Sequence, residues 1–445
     1  MLLTIFILIL NLLVLILLMK RILVLFLALI LISFSLVASD HGLKQRLVSL
    51  PGIQSVELLT SKHFDSKYLL RIVQPLDHAH PELGTFTQRV FVSHVGYDRP
   101  TVLVTEGYGA NYAMSANYRD EISKLFDTNI VFVEHRYFLE STPDPLNWDY
   151  LTAEQSAYDL HHVTTLMKSL YKDKWISTGV SKGGQTTLLY RSYFPDDVDI
   201  SVPYVAPLCR AAEDGRHEGF IDQIGSAKDR KKIRDYQLSI LKRRAIFMPL
   251  FEAHCKKANL TFRAPLDEIF DYCVLEYPFA FWQWGMPIES VPSTTDNDSR
   301  LFGHLMKLSD PSYFALNQPT ASFFVQAARE LGYYGYDIEP FKSYLKITST
   351  SDYLNRLMIP AGVTLEFRPA LYNKISAYLE SNDPKMIFIY GEDDPWTAAG
   401  VTYLKDKKNI MVAIEPGGSH TARISTLPKK IQKKVLARIT QWLAE

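Results

Sequence analysis

Cysteine is scarce in this chain: three residues, Cys209, Cys255 and Cys273, among 445. Three thiols cannot make the dense disulfide framework that holds small exported domains together, so the fold must rest on a packed core. Net charge is absent too, with 48 basic side chains against 48 acidic ones. A nucleic-acid partner would normally leave a basic excess, so none is expected. No Cys/His cluster has metal-ligand spacing, and the adjacent His161 and His162 read as a helix face rather than a ligand pair. Neither a metal nor a cofactor is expected. Internal repeats are missing, as are low-complexity tracts beyond the N-terminal stretch. Apolar and aromatic residues are plentiful: 47% hydrophobic, with 25 Tyr, 24 Phe and 6 Trp. At this length they suit one large domain with an insertion, or two domains, and a lined pocket.

Residues 1 to 39 are almost wholly apolar, broken only by Lys20 and Arg21. Met19-Lys20-Arg21, an apolar run from Ile22 to Val37, and the small residues Ala38 and Ser39 have the layout of a cleavable export signal. Met19 is then the natural start, with Met1 to Leu18 an upstream extension. A membrane anchor is the alternative, but it would carry Lys20 and Arg21 mid-span at a cost. A secreted or periplasmic protein with no membrane partner after signal removal is expected. No cysteine stands at the cleavage point, so no lipid anchor is expected. In an exported chain one disulfide could form, and Cys255 and Cys273 are the nearest pair in sequence.

The mature chain, from residue 40, changes character twice. Lys67 to Gln74 and Thr85 to His94 flank a turn-rich link and read as a hairpin. Apolar runs follow at Thr101–Val104, Asn129–Val133, Trp175–Thr178 and Ile200–Val205, separated by helical stretches. One such stretch opens at Thr152-Ala153-Glu154-Gln155, a capping box, and runs to about Tyr171. Strands alternating with helices predict a mostly parallel sheet, with ligands at the C-terminal strand ends. From 209 to 375 no strong strand pattern remains, and this part reads as a helical cap inserted between core segments 40–208 and 376–445. Val291 to Arg300 reads as a polar surface loop. Strand patterns resume at Lys385–Tyr390 and Asn409–Ile414, and a final helix is expected from about Pro428 to Ala444.

Chemistry concentrates in three turns. Gly179-Val180-Ser181-Lys182-Gly183-Gly184 follows a strand and precedes a helix, the layout of a nucleophile elbow. A serine hydroxyl needs a base to take its proton and an acid to orient that base. Gly391-Glu392-Asp393-Asp394-Pro395-Trp396 and Glu415-Pro416-Gly417-Gly418-Ser419-His420 each follow a later strand, giving the order Ser, Asp, His. His420 is the candidate base. Asp394 is preferred to Asp393 as the acid because Pro395 fixes the backbone after it. An oxyanion would be met by the N–H of Lys182 and one from the turn Gly107-Tyr108-Gly109, taken as that of Tyr108. The Lys182 side chain is given no chemical role, and Glu134-His135-Arg136 reads as a structural ion-pair network.

Several stretches resemble the bacterial secreted tripeptidyl aminopeptidases, serine peptidases related to the lysosomal prolyl carboxypeptidases. They include Gln74-Pro75-Leu76-Asp77-His78, Thr105-Glu106-Gly107-Tyr108, Glu134-His135-Arg136-Tyr137, Gly179 to Gly184, Glu330-Leu331-Gly332-Tyr333-Tyr334, Asp394-Pro395-Trp396 and Gly418-Ser419-His420. The resemblance implies an α/β-hydrolase core with a helical cap, the triad Ser181, Asp394 and His420, and release of short peptides from free N-termini, often after proline. An enzyme of that kind must read an α-amine, for which a carboxylate is the natural partner. Glu106 is one candidate and cap acids such as Glu330 are others, while Glu106 could instead hold its turn or pair with Arg136. Phe279, Phe281, Trp282 and Trp284 are candidates for a proline pocket or for cap core, with Trp282 and Trp284 taken as substrate-binding. An esterase or lipase, a carboxypeptidase or dipeptidyl peptidase of the related prolyl family, and an inactive binding protein are the competing readings.

Overall fold

Continuous apolar strands need cover on both faces, and the sheet is built accordingly. The computed structural model describes residues 1, 18–21, 42–316 and 318–445. The export-signal expectation, residues 1 to 39, therefore lies outside the described residues except at positions 1 and 18–21. Among the described residues no helix is long and apolar enough to cross a membrane. Nine strands form one sheet: β1 (Ile53–Leu58), β2 (Ser66–Pro75), β3 (Thr85–His94), β4 (Thr101–Thr105), β5 (Asn129–Val133), β6 (Trp175–Val180), β7 (Ile200–Tyr204), β8 (Met386–Gly391) and β9 (Ile410–Glu415). Their order is β1-β2-β3-β5-β4-β6-β7-β8-β9. The hairpin β2–β3 and its neighbours β1 and β5 pair antiparallel, and from β5 to β9 every pairing is parallel. This is an α/β-hydrolase fold. β1 carries no sequence expectation because its residues alternate poorly and it lies half exposed at the sheet edge.

Successive strand residues feed opposite layers. Leu103, Val131 and Val133 join one core cluster, while Val102, Val104, Ile130 and Phe132 join the other. Three helices lie among the first seven strands: α1 (Glu121–Phe126), α2 (Ala153–Lys168) and α3 (Lys182–Tyr193). Thr152 caps α2, accepting from the Gln155 N–H at 3.2 Å, but the Gln155 side chain donates to Asp77 and accepts from the His78 N–H, so the expected capping box does not close.

Between β7 and β8 the described residues contain no strand. They form α4 (Arg216–Ile221), α5 (Ala227–Lys242), α6 (Arg244–Lys257), α7 (Leu266–Gln283), α8 (Asp298–Leu308), α9 (Ala321–Gln326) and α10 (Ala370–Ser381), joined by 3-10 and π turns. Asn297 caps α8 by accepting from the Arg300 N–H at 2.9 Å, so the stretch read as a surface loop already contains a helix start. A last helix, α11 (Lys429–Ala444), follows β9. Cys255 on α6 and Cys273 on α7 are buried free thiols, as is Cys209. Burial, then the charge of the nearby Cys255, raises the Cys273 thiol, so the two are neighbours without being joined.

Candidate active site

Ser181 stands where β6 gives way to α3, with φ +57° and ψ −122°. Few non-glycine residues hold positive φ, and the surroundings enforce it here. The Ser181 N–H donates to the Tyr204 carbonyl at the end of β7 (2.9 Å), and its carbonyl accepts from Gln185 to start the helix (2.9 Å). The turn is tight enough to exclude side chains at its flanks. A Cβ on Gly179 would stand 2.3 Å from the Gly183 carbonyl oxygen, and one on Gly107 would stand 2.6 Å from the Gly183 nitrogen. The Gly107 turn therefore packs directly on the elbow. Lys182 is the first residue of α3, so its N–H has no intrahelical acceptor and belongs to the positive end of the helix.

β8 and β9 deliver the other two candidates. Asp394 is fully buried and caps a short 3-10 helix through the Trp396 N–H (3.1 Å). Its second oxygen, Oδ2, meets His420 Nδ1 at 2.7 Å. Asp393 faces elsewhere: it is half-buried, its N–H donates to the Gly418 carbonyl (2.8 Å), and burial raises its carboxyl above the ordinary range, helped by Glu392. The loop carrying His420 is tied to the helical insertion, for the His420 N–H donates to the Gln283 carbonyl at the end of α7 (3.0 Å). A carboxylate at Nδ1 fixes the imidazole proton there and leaves Nε2 as the acceptor. That Nε2 is buried and lacks a hydrogen-bond partner among the described residues. Ser181 and His420 line the same cavity, of about 1110 Å³.

The turn after β4 differs from expectation in two ways. The Tyr108 N–H, taken as an oxyanion donor, already donates to Glu106 Oε1 at 3.0 Å. The Glu106 side chain is long enough to curl back over its own turn, and its other oxygen accepts from the Tyr112 hydroxyl. Burial raises its carboxyl above the usual range, opposed by those hydrogen bonds and by the Lys182 charge. It does not pair with Arg136. The Lys182 side chain is not a bystander: it is 2% exposed and donates to the Gly107 carbonyl at 2.6 Å. Burial pulls this lysine down to about 7, against the opposing charges of Glu106 and Glu330.

Beneath these turns Arg89 holds Glu134 (Nε to Oε1, 2.9 Å) and Arg136 holds Asp159 (2.7 Å from each of two nitrogens). Glu134 also accepts from the Ala110 N–H at 2.7 Å, which anchors the far side of the Gly107 turn. Burial, then the Lys182 charge, holds His135 well below the ordinary imidazole range, so it is a neutral packing residue.

The aromatic expectations divide. Trp284 is 55% exposed on the cavity wall, its ring edge-on to that of His420 at 6.3 Å. Trp282 does not line this cavity. Glu276, Ala280 and Gln283 recur at helical spacing on the cavity face of α7, whereas Trp282 falls on the face with Leu275, Pro278 and Phe279, around a separate small cavity. Phe279 stacks on Tyr334 at 3.6 Å in the core of the insertion. Glu330 is also turned away from the cavity: it accepts from the Ala153 N–H at 2.7 Å and so caps α2. Residues that sequence reasoning left out line the wall instead, notably Glu276, Phe323, Tyr333 and Trp396.

The sequence profile of the family described as PS-10 peptidase S37 matches residues 38–445. The chain belongs to this family. It is a serine peptidase with peptide substrates. It is 28% identical over 418 residues, 92% of this chain and 86% of the relative, to a prolyl tri/tetrapeptidyl aminopeptidase of Streptomyces mobaraensis. A probable serine protease of Arabidopsis thaliana is 27% identical over 187 residues, covering 37% of this chain and 38% of its own. Among solved structures, a proline iminopeptidase of Mycobacterium smegmatis superposes with a TM-score of 0.41 at 11% identity, over 84% of this chain and 99% of its own.

In this S37 peptidase the elements with local signals were the ones sequence could find. Glycines mark the elbow, and a Gly- or Asp-rich loop after an apolar run marks each other turn. Glu276 gave no such signal, because a lone glutamate inside an apolar helix reads as a helix former. Only its burial beside the cavity separates it from an ordinary surface residue.

Proposed function

We propose that this S37 peptidase is an exported exopeptidase that releases tripeptides, or similarly short peptides ending in proline, from free N-termini. The observation that carries the reading is the 2.7 Å bond between Asp394 and His420, beside the same cavity as Ser181 at the start of α3. Ser181 Oγ attacks the scissile carbonyl carbon while its proton passes to His420 Nε2. Asp394 steadies the imidazolium that forms. The oxyanion accepts the Lys182 N–H, and the Tyr108 N–H joins it when the Glu106 carboxylate yields. The C–N bond then breaks, and His420 returns the proton to the leaving amine. Water, deprotonated by the same imidazole, frees the acyl peptide from Ser181.

Residues 209–375 act in this reading as a cap over the catalytic strand ends, and residues 40–208 and 376–445 as the two parts of the core. A capped cavity admits chain ends more readily than folded loops, which supports an exopeptidase over an endopeptidase. The name of the Streptomyces relative supports attack from the N-terminus. Trp284, Phe323 and Tyr333 offer ring faces against which a pyrrolidine packs well. The test is a mass-spectrometric time course on mixed peptides, which reports the end attacked, the step length and the residue before the cut. Loss of three residues at a time from free N-termini is the expected result. Shortening from the C-terminus, or equal cleavage of N-blocked peptides, would overturn it. Recovery of the mature chain from outside the cytoplasm, starting near residue 40, checks export.

A further inference from the structure

Five carboxylates border the cavity: Glu106, Asp120, Glu121, Glu276 and Asp310. Four serve the local fold. Glu106 holds its own turn through the Tyr108 N–H, and Asp120 caps α1 through the Ile122 N–H at 2.7 Å. Glu121 accepts from the Tyr204 hydroxyl at 2.7 Å and from the N–H groups of Ile424 and Ser425 at 3.0 Å each. Asp310 accepts from the Ser312 N–H at 2.8 Å and meets His254 Nε2 at 2.9 Å.

Glu276 does none of this. It lies in the middle of α7, where no backbone N–H needs a cap, and it is 7% exposed. Its partners are phenols: the Tyr334 hydroxyl reaches both carboxylate oxygens at 2.9 Å, and the Tyr336 hydroxyl reaches Oε2 at 2.8 Å. No salt bridge neutralises it among the described residues. Burying a carboxylate without a cation is costly, and the phenol hydrogen bonds return only part of that cost. Burial accordingly pushes its carboxyl up to about 7, against the phenol hydrogen bonds.

The surroundings suit a cation. Tyr333 and Tyr334 stack at 4.3 Å and, with Tyr313 and Phe324, they border the cavity beside Glu276. Ring faces attract an ammonium, and an ammonium brings three N–H donors for the lone pairs the phenols leave open.

We propose that Glu276 binds the α-ammonium of the peptide substrate, and that its place on α7 rather than at the elbow sets how many residues lie between that amine and Ser181. This rests on the N-terminal exopeptidase reading above. A strand-like peptide advances a fixed length per residue, so a carboxylate held on the cap selects a chain length. Glu106 abuts the elbow itself, where an amine would leave no room for several residues.

The experiment compares kcat/KM for Ala-Ala-Pro p-nitroanilide with a free and with an acetylated N-terminus. The wild-type full chain is expected to prefer the free amine strongly. In Glu276→Gln that preference falls by roughly 10- to 100-fold, the loss of one charge-assisted contact, and it falls through KM. Glu106→Gln slows both substrates together and keeps the preference. A wild-type preference retained in Glu276→Gln overturns the assignment, as does a collapse in Glu106→Gln instead. A wild type that cleaves both substrates equally overturns the exopeptidase reading, and this proposal with it. Should Glu276→Gln fail to fold, Tyr336→Phe keeps the carboxylate but loosens it: a smaller drop in preference supports the proposal, and an unchanged preference overturns it.

Discussion

The floor of the cavity is held by backbone and its roof by side chains. On the floor, the turn after β4 packs on the elbow after β6 and the turn after β8 bonds to the one after β9, and Gly107 and Gly179 pack so closely that no Cβ fits. The roof, α7 with the segment around residues 313–336, is a set of rings around one carboxylate. Backbone geometry tolerates almost no substitution, because each atom is fixed by the chain itself. Ring packing tolerates reshaping at constant volume. The floor is thus suited to a reaction that must not vary and the roof to a substrate preference that can. Mutations on the floor should strike kcat, and mutations on the roof should strike KM.

The largest effect expected is from Ser181→Ala, which should cut kcat by about 10⁴-fold or more and abolish labelling by a fluorophosphonate. Retained labelling would place the nucleophile elsewhere. Asp394→Asn should lower kcat by roughly 10³- to 10⁴-fold with KM little changed, since the wrong imidazole tautomer would result. Asp393→Asn is the comparator and should stay within a few-fold of wild type; a reversed pattern would exchange the two aspartates. Lys182→Met removes the bond to the Gly107 carbonyl and should cost kcat about 10-fold for free and acetylated substrates alike. Its pH signature is separate. The folded lysine titrates near 7 and an unfolded one near 10.5, so between those values the unfolded chain binds the extra proton. Stability from this site should therefore rise with pH across that window, and urea titrations of Lys182→Met should lack the slope. Glu106, Glu330, His135 and Tyr108 are titratable groups facing it, and burial raises the Tyr108 phenol so that it stays uncharged in this window.

On the roof, Trp284→Ala should raise KM roughly three- to tenfold and leave kcat nearly intact, because an exposed ring contributes contact area and no chemistry. A fall in kcat instead would mean that Trp284 orients His420. The smallest effect is thermal. Glu276 is raised to about 7 from an unfolded value near 4.5, so stability should fall as pH rises between them and then level off. The groups around it, Tyr313, Tyr333, Tyr334, Tyr336, Tyr353 and Cys273, all have raised values and stay uncharged in this range. Glu276→Gln should raise Tm at pH 8 by about 2 °C, as measured by calorimetry. An unchanged Tm would mean that the buried charge costs the fold nothing.

Legibility follows the same division. Strand β5 matched its apolar run because five consecutive apolar or small polar residues in an α/β alternation leave little choice. The strand-turn-helix at Ser181 was readable because glycine spacing is a local property. The contact of His420 with Asp394 rather than Asp393 was only a preference in sequence, since adjacent side chains differ by direction and direction belongs to the folded loop. Direction also separates Trp282, which faces the small cavity, from Trp284, two residues on at the end of α7 and on the wall of the Ser181 cavity. The burial of Lys182 has no local signal, because the turn that covers it and accepts its hydrogen bond comes from residue 107.

Sequence alone determined the alternation of strands and helices, the glycine turns and the order of serine, aspartate and histidine, because each depends on neighbours in the chain. Tertiary structure decided which acid meets the histidine, which amide Glu106 occupies, and which carboxylate stands buried beside the cavity with phenols rather than cations for partners among the described residues. Those depend on distance, burial and hydrogen-bond partners drawn from residues as far apart as 276 and 336, and no local pattern encodes them.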